Sequence, residues 1–239
     1  MITVLKNCSE VDDALSALRA DELPLHVTPQ KNWDHLLIKD LVQELVDEWG
    51  KDLRILDMGS GDGYTLEFLH RLGFANLQGI DLHVPWRRRL KRLLRFWPGR
   101  PFAGTDVVRR GDMCRTGLPP ASVDLITSVS VIEHSVPTQP FLAECARLLK
   151  PGGLLFVTTD YWDDIEMNPA KDVQLFSLDW TIQNREMITD LIHCARESGL
   201  ELLKETEIPP VEERTVTYYG YDYTFIALEF TRKNGAPAG

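Results

Sequence analysis

The sequence predicts an α/β protein: a mostly parallel sheet with helices on both faces, built as one domain. Three observations predict it. Between residues 53 and 159, short apolar runs of strand character alternate with amphipathic helical stretches, the order that buries a parallel sheet on both faces. The segment Leu53-Arg-Ile-Leu-Asp-Met-Gly-Ser-Gly-Asp-Gly63 carries a buried-strand pattern straight into a glycine-spaced, acidic turn before a helix. A chain of 239 residues with 44% hydrophobic and 26% charged residues is ample for a single core.

The elements follow in order. Residues 1–30 read as an N-terminal cover with a short helix near Glu10–Arg19, broken by Pro24 and Pro29. Trp33–Trp49 places Leu36, Leu37, Leu41, Leu45 and Val46 at helical spacing, with Gly50 as its C-cap. The cofactor-binding core is expected over 51–160, with strand one at its start. A helix over Tyr64–Leu72 stops at Gly73, and Asn76–Asp81 forms the next strand. A helix over 86–97, strands over 106–110 and 122–129, a helix over 138–149 and a strand over 153–159 complete the alternation. Residues 161–182 change texture, with acids, Asn168-Pro169 and scattered aromatics, and read as a lid. Asn184–Ser198 is an amphipathic helix ended by Gly199. Leu200–Glu207 and Tyr223–Arg232 have strand character, and the tail 235–239 reads as frayed.

Charge decides what the glycine turn can hold. Asp57 and Asp62 flank Gly59, Gly61 and Gly63, and two carboxylates repel the pyrophosphate of a nicotinamide or flavin cofactor. Tyr64 also stands near the place where a dinucleotide fingerprint wants its third small residue. A cationic ligand fits better. At this point the residues resemble motif I of the class I S-adenosylmethionine-dependent methyltransferases, whose cofactor carries a sulfonium and an ammonium and no phosphate. The resemblance continues through Leu77-Gln-Gly-Ile-Asp-Leu82, Arg110-Gly-Asp-Met113, Val123-Asp-Leu-Ile-Thr-Ser128 and Leu149-Lys-Pro-Gly-Gly-Leu-Leu-Phe-Val157. It implies a Rossmann-like, seven-stranded sheet in which the last two strands form a terminal antiparallel pair. It also implies S-adenosyl-L-methionine as cofactor, with Asp81 on the ribose hydroxyls and Asp112 at the adenine amino group. The cofactor set it implies is Asp57, Gly59, Gly61, Asp62, Gly63, Asp81, Leu82, Asp112, Met113, Ser128 and Val129. Each carboxylate has a plainer alternative as a helix cap, turn residue or strand end.

Methyl transfer from a sulfonium is an in-line displacement, so the protein chiefly aligns the nucleophile and removes a proton. The ligand crevice of an open α/β sheet lies beyond the carboxyl ends of its strands, which brings the segments after residues 129 and 159 to the methyl group. His134, in Ser128-Val-Ser-Val-Ile-Glu-His134, is the first candidate base, because an imidazole titrates near neutrality. A helix-capping or cofactor-orienting role is the alternative. Asp160 can orient a hydroxyl or amine, or cap a loop, while Tyr161 and Trp162 can wall an apolar acceptor site. His134, Asp160, Asp163 and Asp164 could also meet as metal ligands, but acids in a lid are commonly just solvated and no metal is assigned. The segment lacks the Asn-Pro-Pro-Tyr or Asp-Pro-Pro-Tyr signature for methylating exocyclic amines of bases.

The expected activity is therefore O-methylation of a small or medium polar acceptor, such as a sugar or natural-product-like metabolite. N-methylation of an amine or peptide and a non-catalytic cofactor-binding scaffold are the alternatives. A net charge of −10 argues against nucleic acid as a partner. The exception is Trp86-Arg-Arg-Arg-Leu-Lys-Arg-Leu-Leu-Arg-Phe-Trp97, with six of the 26 basic residues, which reads either as a solvated helix face or as a site for an anionic partner or membrane surface. No apolar run approaches the ~18 residues of a membrane helix. The start of the chain lacks a basic and apolar leader, and Cys8, Cys114, Cys145 and Cys194 are scattered, so the cytoplasm is the expected compartment.

Overall fold

The computed structural model describes residues 1–84, 108–163, 173–175 and 178–234. The expected basic helix 86–97, with its anionic-partner reading, lies outside the described residues, as do Asp164 and the tail 235–239. In chain order the elements are β1 (Ile2–Val4), α1 (Cys8–Ala20), α2 (Lys31–Trp49), β2 (Ile55–Met58), α3 (Tyr64–Arg71), β3 (Leu77–Asp81), β4 (Val108–Arg110) and β5 (Val123–Val129). They continue with α4 (Thr138–Leu148), β6 (Leu149–Tyr161), β7 (Gln174–Leu175), β8 (Leu178–Asp179), α5 (Arg185–Glu197), β9 (Leu200–Leu202), β10 (Val216–Tyr218) and β11 (Tyr221–Arg232).

The sheet runs β1-β11-β6-β5-β2-β3-β4. Its five strands from β6 to β4 are parallel, and β11 runs antiparallel to β6 over Thr224↔Tyr161 to Thr231↔Leu154. Every residue of β2 is buried, as a central strand covered on both faces requires. The strand order reverses at β2, between β3 on one side and β5 on the other, so the ligand crevice lies beyond the carboxyl ends of these three strands.

Two apolar layers enclose the sheet. One joins α4 and α5 to it through Phe141, Leu142, Ile188, Leu191, Leu155 and Val157. The other joins α1, α2 and α3 through Leu18, Trp33, Leu41, Phe68, Phe156 and Phe225. Alternation along β6 divides Leu155 and Val157 from Leu154 and Phe156, and the same alternation continues into the site.

The N-terminal segment differs from the expected cover. Residues 2–4 enter the sheet, with Ile2, Thr3 and Val4 opposite Leu228, Ala227 and Ile226. The reason is the length of β11, twelve residues, which exceeds any one partner on its outer edge. Three short strands share that edge: β10 at Tyr221–Tyr223, β1 at Ile226–Leu228 and β9 at Phe230–Arg232. The expected strand over 200–207 accordingly pairs only through Leu200–Leu202. The first helix also begins earlier than expected, because the Asn7 side chain accepts the Glu10 N–H at 3.2 Å and caps it.

Candidate active site

The glycine turn after β2 is built by backbone geometry. Gly59, Gly61 and Gly63 all lie at positive φ (78°, 47° and 69°), where a side chain is disfavoured. Gly59 has a second constraint: a Cβ there would lie 2.4 Å from Val131 Cγ2, so the segment after β5 presses directly on the turn. The Gly59 and Ser60 N–H groups donate to the Ile80 carbonyl at 2.8 and 3.2 Å, joining the turn to β3. Gly79, which the sequence reading passed over, makes this joint possible, since a Cβ there would lie 2.3 Å from Ser60 Oγ.

Asp57 lies beneath the turn, 3% exposed, and accepts the Thr127 hydroxyl at 2.7 Å. Burial raises its carboxyl to about 6, against the hydrogen bond from Thr127. It therefore ties β2 to β5 from inside. Asp62 is exposed at the tip. Asp81 ends β3 with one carboxylate oxygen accepting the Gly61 N–H at 2.8 Å and the other the His83 N–H at 2.7 Å. Each oxygen has one short bond from the chain and a remaining lone pair, which suits a vicinal diol. Leu82 is exposed beside it, Met113 is buried in the core, and exposed Asp112 accepts the Cys114 N–H at 2.8 Å.

The ends of β5 and β6 are different in kind. Ser128 is fully buried and Val129 half-buried. Ser130 follows at positive φ (50°), its N–H donating to the Thr158 carbonyl at 3.0 Å. Asp160, 5% exposed, accepts the Trp180 indole N–H at 2.8 Å and the Tyr223 hydroxyl. Glu133, 1% exposed, accepts the Thr159 hydroxyl at 3.1 Å. Burial raises both carboxyls, Asp160 to about 6 and Glu133 well above the ordinary range, with the charge of Asp160 adding to the rise at Glu133. Asp34, wholly buried on α2, is raised by burial and lies 3.3 Å from the Lys31 ammonium. Burial and Lys31 lower His134 to about 4, so its imidazole is neutral at pH 7 and a weaker base than its ordinary value implies.

The aromatics divide between faces. Tyr161 is fully buried in the α4/α5 layer, on the other face of the sheet from Asp160, and gives its hydroxyl to Asp163. The structure thus does not bring it to the acceptor side. Trp162 is half-buried with the Arg214 guanidinium 4.5 Å above its ring. Trp180 has the rings of Tyr218, Tyr221 and Tyr223 edge-on at 5.7, 5.8 and 5.7 Å. Asp163 is engaged by Arg185 at 3.2 Å, and among the described residues no three His, Cys, Asp or Glu side chains gather as a metal ion would need.

Lys31, Asp34, Glu133, Trp180 and Tyr223 are the site residues that sequence reasoning missed. One local signal was available for Lys31, a cation in the first turn of a helix, which opposes the helix dipole by about 0.3–1 kcal/mol. The others meet only through the tertiary fold.

Residues 56–157 match a family model described as "Methyltransferase domain". A Mycolicibacterium smegmatis protein named "Probable S-adenosylmethionine-dependent methyltransferase" is 34% identical over 152 residues, 61% of this chain and 51% of its own length. The match over residues 56–157 and this relative support the resemblance to the class I S-adenosylmethionine-dependent methyltransferases. A Neisseria meningitidis methyltransferase, named for ubiquinone biosynthesis O-methylation, is 29% identical over 208 residues, 82% of this chain and 79% of its own. The chain spans about half the length of several such relatives. The solved structure of the [4+2]-cyclase SpnF aligns over 95% of both chains with a TM-score of 0.62 at 18% identity, a likeness of fold alone.

The methyltransferase cofactor fits the residues present. Gly59 leaves its Cβ space to Val131 and so holds the turn against the segment after β5, a Cβ at Gly61 would meet only the Gly59 carbonyl at 4.0 Å, and Asp81 holds two orientable acceptor oxygens at the next strand end. Asp57, by contrast, supports the turn from below.

Proposed function

We propose that this methyltransferase moves a methyl group from S-adenosyl-L-methionine to an oxygen of a small or medium polar acceptor, with the Glu133–Asp160 pair taking the acceptor's proton. When bound, the cofactor supplies a methyl group on a sulfonium, an electrophile that needs no further activation. One observation carries the reading: two adjoining buried carboxyls, both raised, stand at the ends of β5 and β6, where the crevice of this fold turns toward the acceptor. Trp180 and Tyr223 orient Asp160 through its hydrogen bonds, and Thr159 orients Glu133. A carboxyl held near 6 is ionised at pH 7 yet more basic than a solvated one, the condition for accepting a hydroxyl proton as the oxygen attacks. His134, neutral at pH 7, is the second acceptor of that proton.

The relatives named O-methyltransferases support oxygen as the nucleophile. A second reading, N-methylation of an amine, draws on Tyr218, whose exposed ring stands beside Trp180 and faces the charge of Asp160, a pairing that suits a cation. Four free cysteines fit a reducing compartment, and we place the protein in the cytoplasm on that ground. Among the described residues no helix is long and apolar enough to cross a membrane.

Transfer of labelled methyl to a panel of hydroxylated and amine acceptors tests the proposal. Asp160→Asn is expected to lower turnover about 100-fold while changing S-adenosylhomocysteine affinity less than twofold, and His134→Ala to cost about tenfold. If Asp160→Asn keeps full turnover, the carboxyl pair is not the base.

A further inference from the structure

Among the described residues of the acceptor end, the ion-paired Lys31 and Asp34 have no task in the proposed reaction. Lys31 does not point into solvent. Its Nζ lies 3.3 Å from Asp34 Oδ2, donates to Ser130 Oγ, and stands 3.5 Å from the centroid of the Phe225 ring. Phe225 is the direct partner of Asp160 across the β6–β11 ladder, which places the ammonium above the acid's own register position. The loop that delivers it is fixed by Asn32, whose side chain accepts the His26 N–H at 2.8 Å and donates to the Pro29 carbonyl at 2.9 Å.

Titratable groups face Lys31 from every element around it. His26 comes from the preceding loop, and Asp34 and His35 from α2 itself. Glu133 and His134 come from the segment after β5, and Asp160 from β6. From β11, Tyr223 reaches this set through its bond to Asp160. Three buried carboxyls thus meet one ammonium. Two adjoining buried carboxyls with no cation nearby share a proton, and one of them is lost as a base.

We propose that Lys31 is a positioning residue for methyl transfer: held between Asp34 and Ser130, its ammonium keeps the Glu133–Asp160 pair available as proton acceptor at neutral pH. The inference rests on the methyltransferase reading of the acceptor end. Its electrostatic direction is consistent across the site. The same charge opposes the rise of Asp34, Glu133 and Asp160 and assists the fall of His26, His35 and His134.

Carbon-13 NMR titration of the side-chain carboxyls in the full chain tests this without an acceptor. Lys31→Met is expected to move the Asp160 titration up by about one pH unit or more, and Lys31→Arg, which keeps the charge, to leave it within about 0.3 unit. S-adenosylhomocysteine affinity by calorimetry should change less than about twofold in both. With an acceptor found in the panel above, the acid limb of turnover should move up by the same interval as the carboxyl. Should Lys31→Met unfold because Asp34 loses its partner, Lys31→Met/Asp34→Asn removes the buried pair together and is expected to show a smaller upward shift, since the charge of Asp34 itself raises Asp160. An unmoved Asp160 titration overturns the proposal. So does a tenfold loss of cofactor-product affinity without a carboxyl shift, which assigns Lys31 to the cofactor instead. Failure of the wild-type chain to take up S-adenosylhomocysteine overturns the methyltransferase reading and with it the role of Lys31 in methyl transfer, and the titration then still reads the effect of the Lys31 charge on the carboxyl pair by itself.

Discussion

The two halves of the site are made of different material. At the ends of β2 and β3 the ligand surface is backbone: three glycines at positive φ, N–H groups donated to Asp81, and carboxylates near solvent. At the ends of β5 and β6 it is side chain: Glu133, Asp160 and Asp34 out of water, with one ammonium among them. The contrast follows from what each half must do. A cofactor half meets the same ligand every time and gains from rigid donors and acceptors that need no reorganisation. Under the proposed reaction the acceptor half must move a proton, and a carboxyl serves as a base near neutral pH best when burial has raised it.

The largest expected effect lies in the first half. Asp81→Ala removes both carboxylate oxygens expected to hold the cofactor and frees the Gly61 and His83 N–H groups. Calorimetry should find S-adenosylhomocysteine bound about 100-fold more weakly, near 2.7 kcal/mol. Asp81 lies at the open end of β3, so the melting temperature should hardly change. A loss of folding in place of binding would mean that this half also depends on interior packing, and the contrast would fail.

Asp57 sits at the seam and behaves like the second half although it belongs to the first. Its folded value of about 6 stands above the ~3.9 of an unfolded chain, so the folded state binds the extra proton between those values. Stability from this group is present below about pH 4, declines as pH rises through 6, and is absent above it, a span of about 2–3 kcal/mol. Asp57→Asn keeps an acceptor for the Thr127 hydroxyl and removes the titration. The variant should match wild type at pH 4 and unfold about 1–3 kcal/mol later at pH 7.5 in denaturant titrations. Equal differences at both pH values would show that Asp57 contributes shape and not charge.

The same contrast explains what could be read from the chain before folding. Gly59, Asp81 and Asp112 announce themselves because each lies at or just past the end of its own strand, so strand, turn and candidate ligand group are contiguous in sequence. Lys31, Glu133, Asp160 and Tyr223 belong to four separate segments that only the β6–β11 ladder and the docking of α2 bring together. Tyr161 shows the limit on a single strand: it neighbours Asp160 in sequence, yet period-two alternation puts it on the other face. The edge of β11 was equally hidden, since nothing in Ile2-Thr-Val4 states which strand it will join.

The smallest expected effect concerns the β10–β11 hairpin at the mouth of the acceptor half. Its two turn residues, Tyr219 and Gly220, both have positive φ, 48° and 82°, the pattern in which Asn-Gly is favoured and a tyrosine is strained. Tyr219 is also 64% exposed, its ring 4.7 Å from Tyr218, which in turn stands edge-on to Trp180. Strain kept at such a place points to use. Tyr219→Asn should relieve it, stabilising the fold by about 0.5 kcal/mol and raising the melting temperature by about 1–2 °C. If the hairpin contributes an aromatic wall to the acceptor, KM should rise several-fold while cofactor-product affinity stays fixed. A more stable variant with unchanged KM would instead confine the hairpin to closing the sheet edge, and the acceptor half would end at Trp180.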